Sequence, residues 1–218
     1  ATLDARFRGF VAPSGSTAAR ISVRTVRGDG SGWLPRWRPG DSYRLEADAV
    51  AGPLVVRSYH FALVPEVSGS WRLAIEDRSV EPVGRVFDNA ARYLVARLAV
   101  ERGGLALHGA GLLRGRDAFI FTGPSGAGKS TLIRLSRPAT SLGDDFAVIL
   151  PQAGGWAVPA LPFDNAEIAP ENPARGLFPL AGVWRLFQSD RHRVERPSGV
   201  LAQASLLACT AFPWALPD

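Results

Sequence analysis

The segment from Gly123 to Ser130 has the residue types and spacing that a polyphosphate site needs. It matches G-x-x-x-x-G-K-[ST], in which glycines let the backbone turn its N–H groups inward toward an anion. Lys129 can then reach the β and γ phosphates of a nucleotide, and the Ser130 hydroxyl can bind Mg²⁺. The expected nucleotide-binding residues are Gly123, Pro124, Ser125, Gly126, Ala127, Gly128, Lys129, Ser130 and Thr131.

The residues on both sides of this segment favour a phosphate-binding P-loop over a glycine-rich turn without a ligand. An apolar strand is predicted at residues 118–122 and a helix at 130–135, and a P-loop joins a strand to a helix. Lys129 is the only lysine among the 25 basic residues of the chain. Its compact ammonium suits close phosphate contact where a planar guanidinium would not fit.

Two adjacent aspartates, Asp144 and Asp145, follow Lys129 at an interval that leaves room for a helix and a return strand. One carboxylate can bind Mg²⁺, directly or through water, and the other can take a proton from an attacking hydroxyl. The alternative is a solvated turn or helix cap. The P-loop at this spacing favours the functional interpretation.

The histidines are weaker candidates. His108 lies in a predicted apolar strand at residues 105–111, where a lone histidine is more often a core residue than a site residue. His192 lies in a run of charged residues at 190–196, which is most simply a solvated surface. The alternative for that run is a mobile arginine that stabilises a transferring phosphate.

The first 83 residues are predicted to form a β-rich domain without a catalytic cluster. Short stretches there alternate apolar and polar residues, and turn-forming residues separate them. A longer apolar stretch at 54–64 is expected to be a single buried strand. The other predicted strands are residues 21–26, 42–46 and 71–76.

Residues 84–218 are predicted to form an α/β domain with a mixed sheet around the P-loop. A helix opens it, since apolar residues recur on one face of a 3.6-residue period between Pro82 and Gly103. These apolar residues are Phe87, Ala91, Leu94 and Leu98. After Pro151, frequent proline and glycine predict strands and loops, with one helix near residues 200–207.

Composition narrows the classes of function. The net charge of +5 permits nucleic-acid binding, but the arginines are scattered and nucleic acid is not the expected partner. No apolar run is long enough to span a bilayer, and no signal-peptide pattern opens the sequence. The single cysteine, Cys209, excludes an internal disulfide and is expected to be a packed apolar thiol. We expect a cytoplasmic protein with no membrane partner.

The order of a His-Gly strand, a P-loop and an Asp-Asp pair resembles the HPr kinase/phosphorylase superfamily. The residues that carry the resemblance are Leu107-His108-Gly109-Ala110, Phe121 to Thr131 and Gly143-Asp144-Asp145, with a weaker similarity at residues 175–187. It is greatest to the shorter HPr-kinase-related proteins, which are similar in core to phosphoenolpyruvate carboxykinase. The resemblance covers about residues 84–146 and implies a P-loop kinase core of that type.

The resemblance implies phosphoryl transfer from ATP, with Mg²⁺, to a serine hydroxyl of a peptide or protein. It assigns catalytic roles to Asp145 as the base, His108 near the phosphates and Lys129. It implies Ser130 and Glu171 as metal ligands, with Glu167 as a rival for Glu171, and the chemistry of the aspartate pair adds Asp144. Arg191 and Arg193 are candidates for a later catalytic arginine.

Several alternatives stay open from the sequence. The acceptor can be a small-molecule hydroxyl, the donor can be another nucleotide or pyrophosphate, and the chain can form a homo-oligomer. The second class of function is a nucleotide-binding regulatory or assembly module with little catalysis. The third is a nucleic-acid-linked ATPase, which predicts hydrolysis stimulated by DNA or RNA with steep salt dependence.

Overall fold

The computed structural model describes residues 21–28, 33–34, 44–48, 54–67, 69–76, 81–136, 139–163 and 174–213. Within them the fold is mixed α/β, of the α+β kind, with two mixed sheets. The residues divide into two compact units, with the division between Leu94 and Val95. This point lies inside helix α1 (Val83–Glu101), whereas the boundary predicted at residue 83 is the start of the same helix.

The first unit contains a five-stranded sheet. Its order is β1-β5-β4-β3-β2, with β1 parallel to β5 and the other pairs antiparallel. The predictions at residues 21–26 and 71–76 are confirmed. Of the strand predicted at 42–46, residues 42 and 43 lie outside the described residues, and β2 begins at Glu46. The strands are β1 (Val23–Gly28), β2 (Glu46–Asp48), β3 (Val55–Arg57), β4 (Phe61–Pro65) and β5 (Trp71–Glu76).

The prediction of one continuous strand at residues 54–64 is wrong. The segment forms two antiparallel strands, β3 and β4, with Val56 opposite Leu63. The chain reverses at Tyr59 and His60, and the Ser58 N–H donates a hydrogen bond to the Phe61 carbonyl at 2.9 Å. Neither turn residue is the Gly, Asn or Asp that usually marks a two-residue turn. The apolar run therefore concealed the reversal.

The helix predicted from apolar periodicity is confirmed as α1, but its most buried face is offset by one residue. Val86, Ala90 and Tyr93 are almost fully buried. Of the predicted residues, Leu94 is buried, whereas Phe87 and Ala91 are half-buried. The Tyr93 ring meets Trp71 of β5 edge-on, with centroids 6.3 Å apart. Edge-on contact is a favoured geometry for aromatic pairs, and it fixes this helix face on the first sheet.

The second unit contains a seven-stranded sheet of order β6-β10-β11-β12-β8-β7-β9. Its strands are β6 (Leu105–Leu107), β7 (Gly109–Arg114), β8 (Asp117–Thr122), β9 (Thr140–Gly143), β10 (Ala147–Gln152), β11 (Gly155–Pro159) and β12 (Leu177–Arg185). Its helices are α2 (Lys129–Leu135) and α3 (Gly199–Leu207), both as predicted. Cys209 is buried in the core, as expected, with Leu107, Ala118, Ile120, Leu142, Ala147, Ile149 and Val158.

The strand directions bring four chain segments to one edge of this sheet. Strand β7 runs antiparallel to both β8 and β9, so the carboxyl ends of β8 and β9 lie beside the start of β7. Strand β12 runs parallel to β8, with Arg185 opposite Thr122. The residues that follow β8, β9 and β12 and the residue before β7 therefore share this edge.

The strand predicted at residues 105–111 is interrupted at His108, so the prediction of one strand is wrong there. Strand β6 pairs with β10, whereas β7 pairs with β8 and β9. At the break, the His108 N–H donates to the Cys209 carbonyl at 2.7 Å. None of the helices among the described residues is both long and apolar enough to cross a membrane.

Candidate active site

The P-loop segment, Gly123 to Ser130, follows β8, and its last two residues are the first two residues of α2. Gly123 has φ +149° and Gly128, the residue before α2, has φ +99°, backbone conformations that glycine adopts most easily. A side chain at Gly123 would also come within 3.0 Å of the Leu186 carbonyl oxygen and of the Ala127 Cβ. The first glycine of the motif is thus required by both its conformation and the close approach of a neighbouring segment.

Lys129 folds back over the loop that precedes it. Its ammonium donates to the carbonyls of Gly123 at 3.0 Å and Pro124 at 3.2 Å. Only 7% of the residue is exposed. An ammonium has three donors, so it can face a phosphate while both carbonyl bonds persist. The lysine is therefore positioned in advance at the centre of the loop.

Ser130, in the P-loop, forms a hydrogen bond with the aspartate pair. Its Oγ donates to Asp144 Oδ1 at 3.1 Å, across 14 residues of sequence. Asp144 is 6% exposed, and its N–H donates to the Phe163 carbonyl at 2.9 Å. The predicted spacing therefore brings the P-loop hydroxyl and the first carboxylate into direct contact.

The aspartates lie in a sharp turn between β9 and β10. Asp145 has φ +70°, a left-handed conformation that aspartate tolerates better than most residues but that still costs free energy. Beneath the turn, Phe146 is buried and meets Phe163 edge-on, with ring centroids 5.4 Å apart. Packing of these rings holds the turn against the strain. Strained backbone of this kind is enriched at functional sites.

His108 lies beside the second aspartate. Its Nε2 is 3.2 Å from Asp145 Oδ1, and 48% of the imidazole side chain and 35% of the Asp145 side chain are exposed. The interpretation of His108 as a core residue is therefore wrong. The break between β6 and β7 places it at the sheet edge, where it contacts the carboxylate.

The donors near the P-loop fit Mg²⁺, which binds hard oxygens. In nucleotide sites this ion takes one or two protein oxygens, and phosphates and water complete the coordination. Ser130 Oγ and Asp144 Oδ1 are two adjacent oxygens of this kind. No group of three His, Cys, Asp or Glu side chains within the described ranges could hold a metal by itself. Glu171 and its rival Glu167 lie outside the described residues.

A contact that sequence reasoning missed lies on the opposite side of the loop. The Leu186 N–H donates to the Thr122 carbonyl at 2.8 Å, and the Gln188 side-chain amide donates to the Gly126 carbonyl at 2.9 Å. Both residues follow β12, whose pairing with β8 carries them there. No local pattern marks Gln188, because its role depends on which strand lies next to β8.

The charge run at residues 190–196 is exposed throughout, as its interpretation as a solvated surface predicts. Arg193 pairs with Glu195 at 2.9 Å, and both side chains are largely exposed. Arg191 donates its N–H to the Ser189 hydroxyl at 3.2 Å. A catalytic role for either arginine stays a prediction.

Comparison with known protein families finds none whose model matches the chain, and comparison with curated proteins finds no match. The resemblance to HPr-kinase-related proteins therefore stays a prediction. The function of the chain is therefore inferred from the geometry of the site itself.

Proposed function

We propose that this chain is a kinase that uses ATP and Mg²⁺ to phosphorylate a hydroxyl group. The observation that carries the proposal is the contact between Ser130 Oγ and Asp144 Oδ1 at 3.1 Å. This contact puts the glycine-rich loop, which we propose binds phosphate, beside Asp144 and Asp145. Positioning and charge stabilisation supply most of the catalysis in phosphoryl transfer, and this arrangement serves both.

In the proposed reaction, the acceptor hydroxyl attacks the γ-phosphorus of ATP. The new oxygen–phosphorus bond forms, the bond from the γ-phosphorus to the β–γ bridging oxygen breaks, and ADP leaves. Asp145 takes the proton of the acceptor hydroxyl, while Lys129 stabilises the negative charge on the phosphates. Bound at Ser130 and Asp144, Mg²⁺ would neutralise phosphate charge.

The contact with His108 supports the assignment of Asp145 as the base. The imidazole Nε2 lies 3.2 Å from Asp145 Oδ1, so a proton on that nitrogen would orient the carboxylate. Asp145 is also the more exposed of the two aspartates, so an acceptor can reach it. Asp144 is buried against Ser130, which suits a metal ligand. The resemblance favours a serine of a peptide or protein as the acceptor.

The proposal is tested by incubating the protein with γ-labelled ATP, Mg²⁺ and a serine-containing peptide library. Water can replace the acceptor, so release of labelled phosphate is measured in parallel. We expect transfer or slow hydrolysis by the wild type and a loss of about 10²–10⁴-fold in Asp145→Asn, the contribution of a general base. Asp117→Asn is the control, because Asp117 begins β8 at the end away from the P-loop.

The outcomes separate the three classes of function. Nucleotide binding without transfer or hydrolysis would contradict the kinase proposal and favour a regulatory module. Hydrolysis that DNA or RNA accelerates, with steep salt dependence, would favour a nucleic-acid-linked ATPase. Equal activity in Asp145→Asn and the wild type would remove Asp145 from the mechanism.

A further inference from the structure

Phe187 is a largely exposed aromatic residue whose chain neighbours on both sides are bonded to the P-loop region. The residue is 71% exposed. Before it, the Leu186 N–H bonds the Thr122 carbonyl at 2.8 Å, and after it the Gln188 amide bonds the Gly126 carbonyl at 2.9 Å. The segment around Phe187 is therefore tied to the loop region by one backbone and one side-chain hydrogen bond.

The ring of Phe187 is also held in orientation. The guanidinium carbon of Arg185 lies 5.1 Å from the ring centroid, within the range of a cation–π contact. Arg185 in turn donates to the Ser205 hydroxyl of α3 at 3.0 Å. The ring is thus supported by a side chain that is itself anchored, while most of its surface still faces solvent.

We propose that Phe187 is the stacking platform for the base of the nucleotide whose phosphates the P-loop holds. The inference rests on the proposed function, since it assumes that the P-loop binds polyphosphate. Every nucleobase has a flat π-face, and an exposed aromatic ring binds that face with little regard to base identity. The platform makes a nucleoside triphosphate, rather than pyrophosphate or inorganic polyphosphate, the donor.

The test compares a ligand that has a base with one that lacks it. MgATP and magnesium tripolyphosphate are titrated by calorimetry into the wild type, Phe187→Ala and Phe187→Trp. We expect Phe187→Ala to weaken MgATP binding by about fivefold or more, the low end of what base–aromatic stacking contributes. Tripolyphosphate affinity should not change, and Phe187→Trp should bind MgATP at least as well as the wild type.

The matched control is Trp156→Ala. Trp156 is 51% exposed, but it lies on β11, which pairs with the opposite end of β12 from Phe187. This variant should bind both ligands as the wild type does. Both residues are exposed, so neither alanine substitution should prevent folding. The tripolyphosphate titration also reports whether the P-loop is intact.

Three results would overturn the proposal. Equal weakening of both ligands by Phe187→Ala would show that the ring supports the loop and not a base. Unchanged MgATP affinity in Phe187→Ala, with both ligands bound by the wild type, would refute the platform alone and leave the phosphate site standing. Failure of the wild type to bind either ligand would refute the phosphate site itself, and the platform with it.

Discussion

The hydrogen bond from Ser130 to Asp144 can be measured by a double-mutant cycle. The variants are Ser130→Ala, Asp144→Ala and the double variant, and the quantity is the coupling in the free energy of unfolding. A hydrogen bond to an ionised acceptor contributes about 1.5–3 kcal/mol. Asp144 is buried but Ser130 is exposed, so solvent competes at one end of this bond. We therefore expect a coupling of about 1–2 kcal/mol.

The assay is urea unfolding at neutral pH with a chelator and no nucleotide, so that no metal replaces the hydrogen bond. The cycle cancels the other interactions that each side chain makes, which is necessary because Asp144 has more than one partner. The control cycle pairs Ser130→Ala with Asp117→Ala, which should be additive. Additivity of Ser130 and Asp144 within about 0.5 kcal/mol would refute the contact between the P-loop and the aspartate pair.

Two further predictions concern the backbone of the loop and a half-buried carboxyl of the first unit. Gly123→Ala should lower the free energy of unfolding by about 2–3 kcal/mol, because the strain of its φ adds to the 3.0 Å contact with the Leu186 oxygen. Gly115 has φ +65°, but no atom lies within 4 Å of an added Cβ. Gly115→Ala should therefore lower the free energy of unfolding by only about 1 kcal/mol in the same urea assay. Equal losses in Gly115→Ala and Gly123→Ala would contradict the close contact between Gly123 and Leu186. Burial raises the pKa of the Glu81 carboxyl above its usual 4.5, although the charges of His60 and Arg85 act in the opposite direction. The folded state therefore keeps this proton to higher pH than the unfolded state. Stability should fall as the pH rises from the pKa of the unfolded state through the raised pKa of the folded state. Glu81→Gln should make this fall shallower in thermal unfolding measured at rising pH from below the usual pKa of 4.5. Identical pH profiles for variant and wild type would argue against the raised pKa.

The P-loop and its flanking elements could be predicted because they are local. Glycine positions, an apolar strand and a helical start lie within about twenty residues, and each has a physical signature in sequence. The contact of Ser130 with Asp144 could also be predicted from the sequence, because a helix followed by a return strand brings the chain back near the P-loop. These predictions needed only the direction of consecutive elements.

Other parts of the site depend on pairing between distant strands. His108 reaches Asp145 because the chain breaks between β6 and β7, and an apolar run shows no such break. Gln188 and Phe187 lie at the loop because β12 pairs in parallel with β8 across more than fifty residues. Hydrophobic patterning indicates which residues are buried in a strand, but it does not identify the neighbouring strand.

The proposed function requires that the P-loop binds polyphosphate through Lys129, and calorimetric titration with MgATP measures this binding. The wild type should bind MgATP. Lys129→Met removes the charge but keeps a side chain of similar length. Because a charge-assisted hydrogen bond is lost, this variant should bind MgATP at least about tenfold more weakly. Circular dichroism confirms that the variant is folded. No binding of MgATP by the wild type, or equal affinity in a folded Lys129→Met variant, would contradict the account.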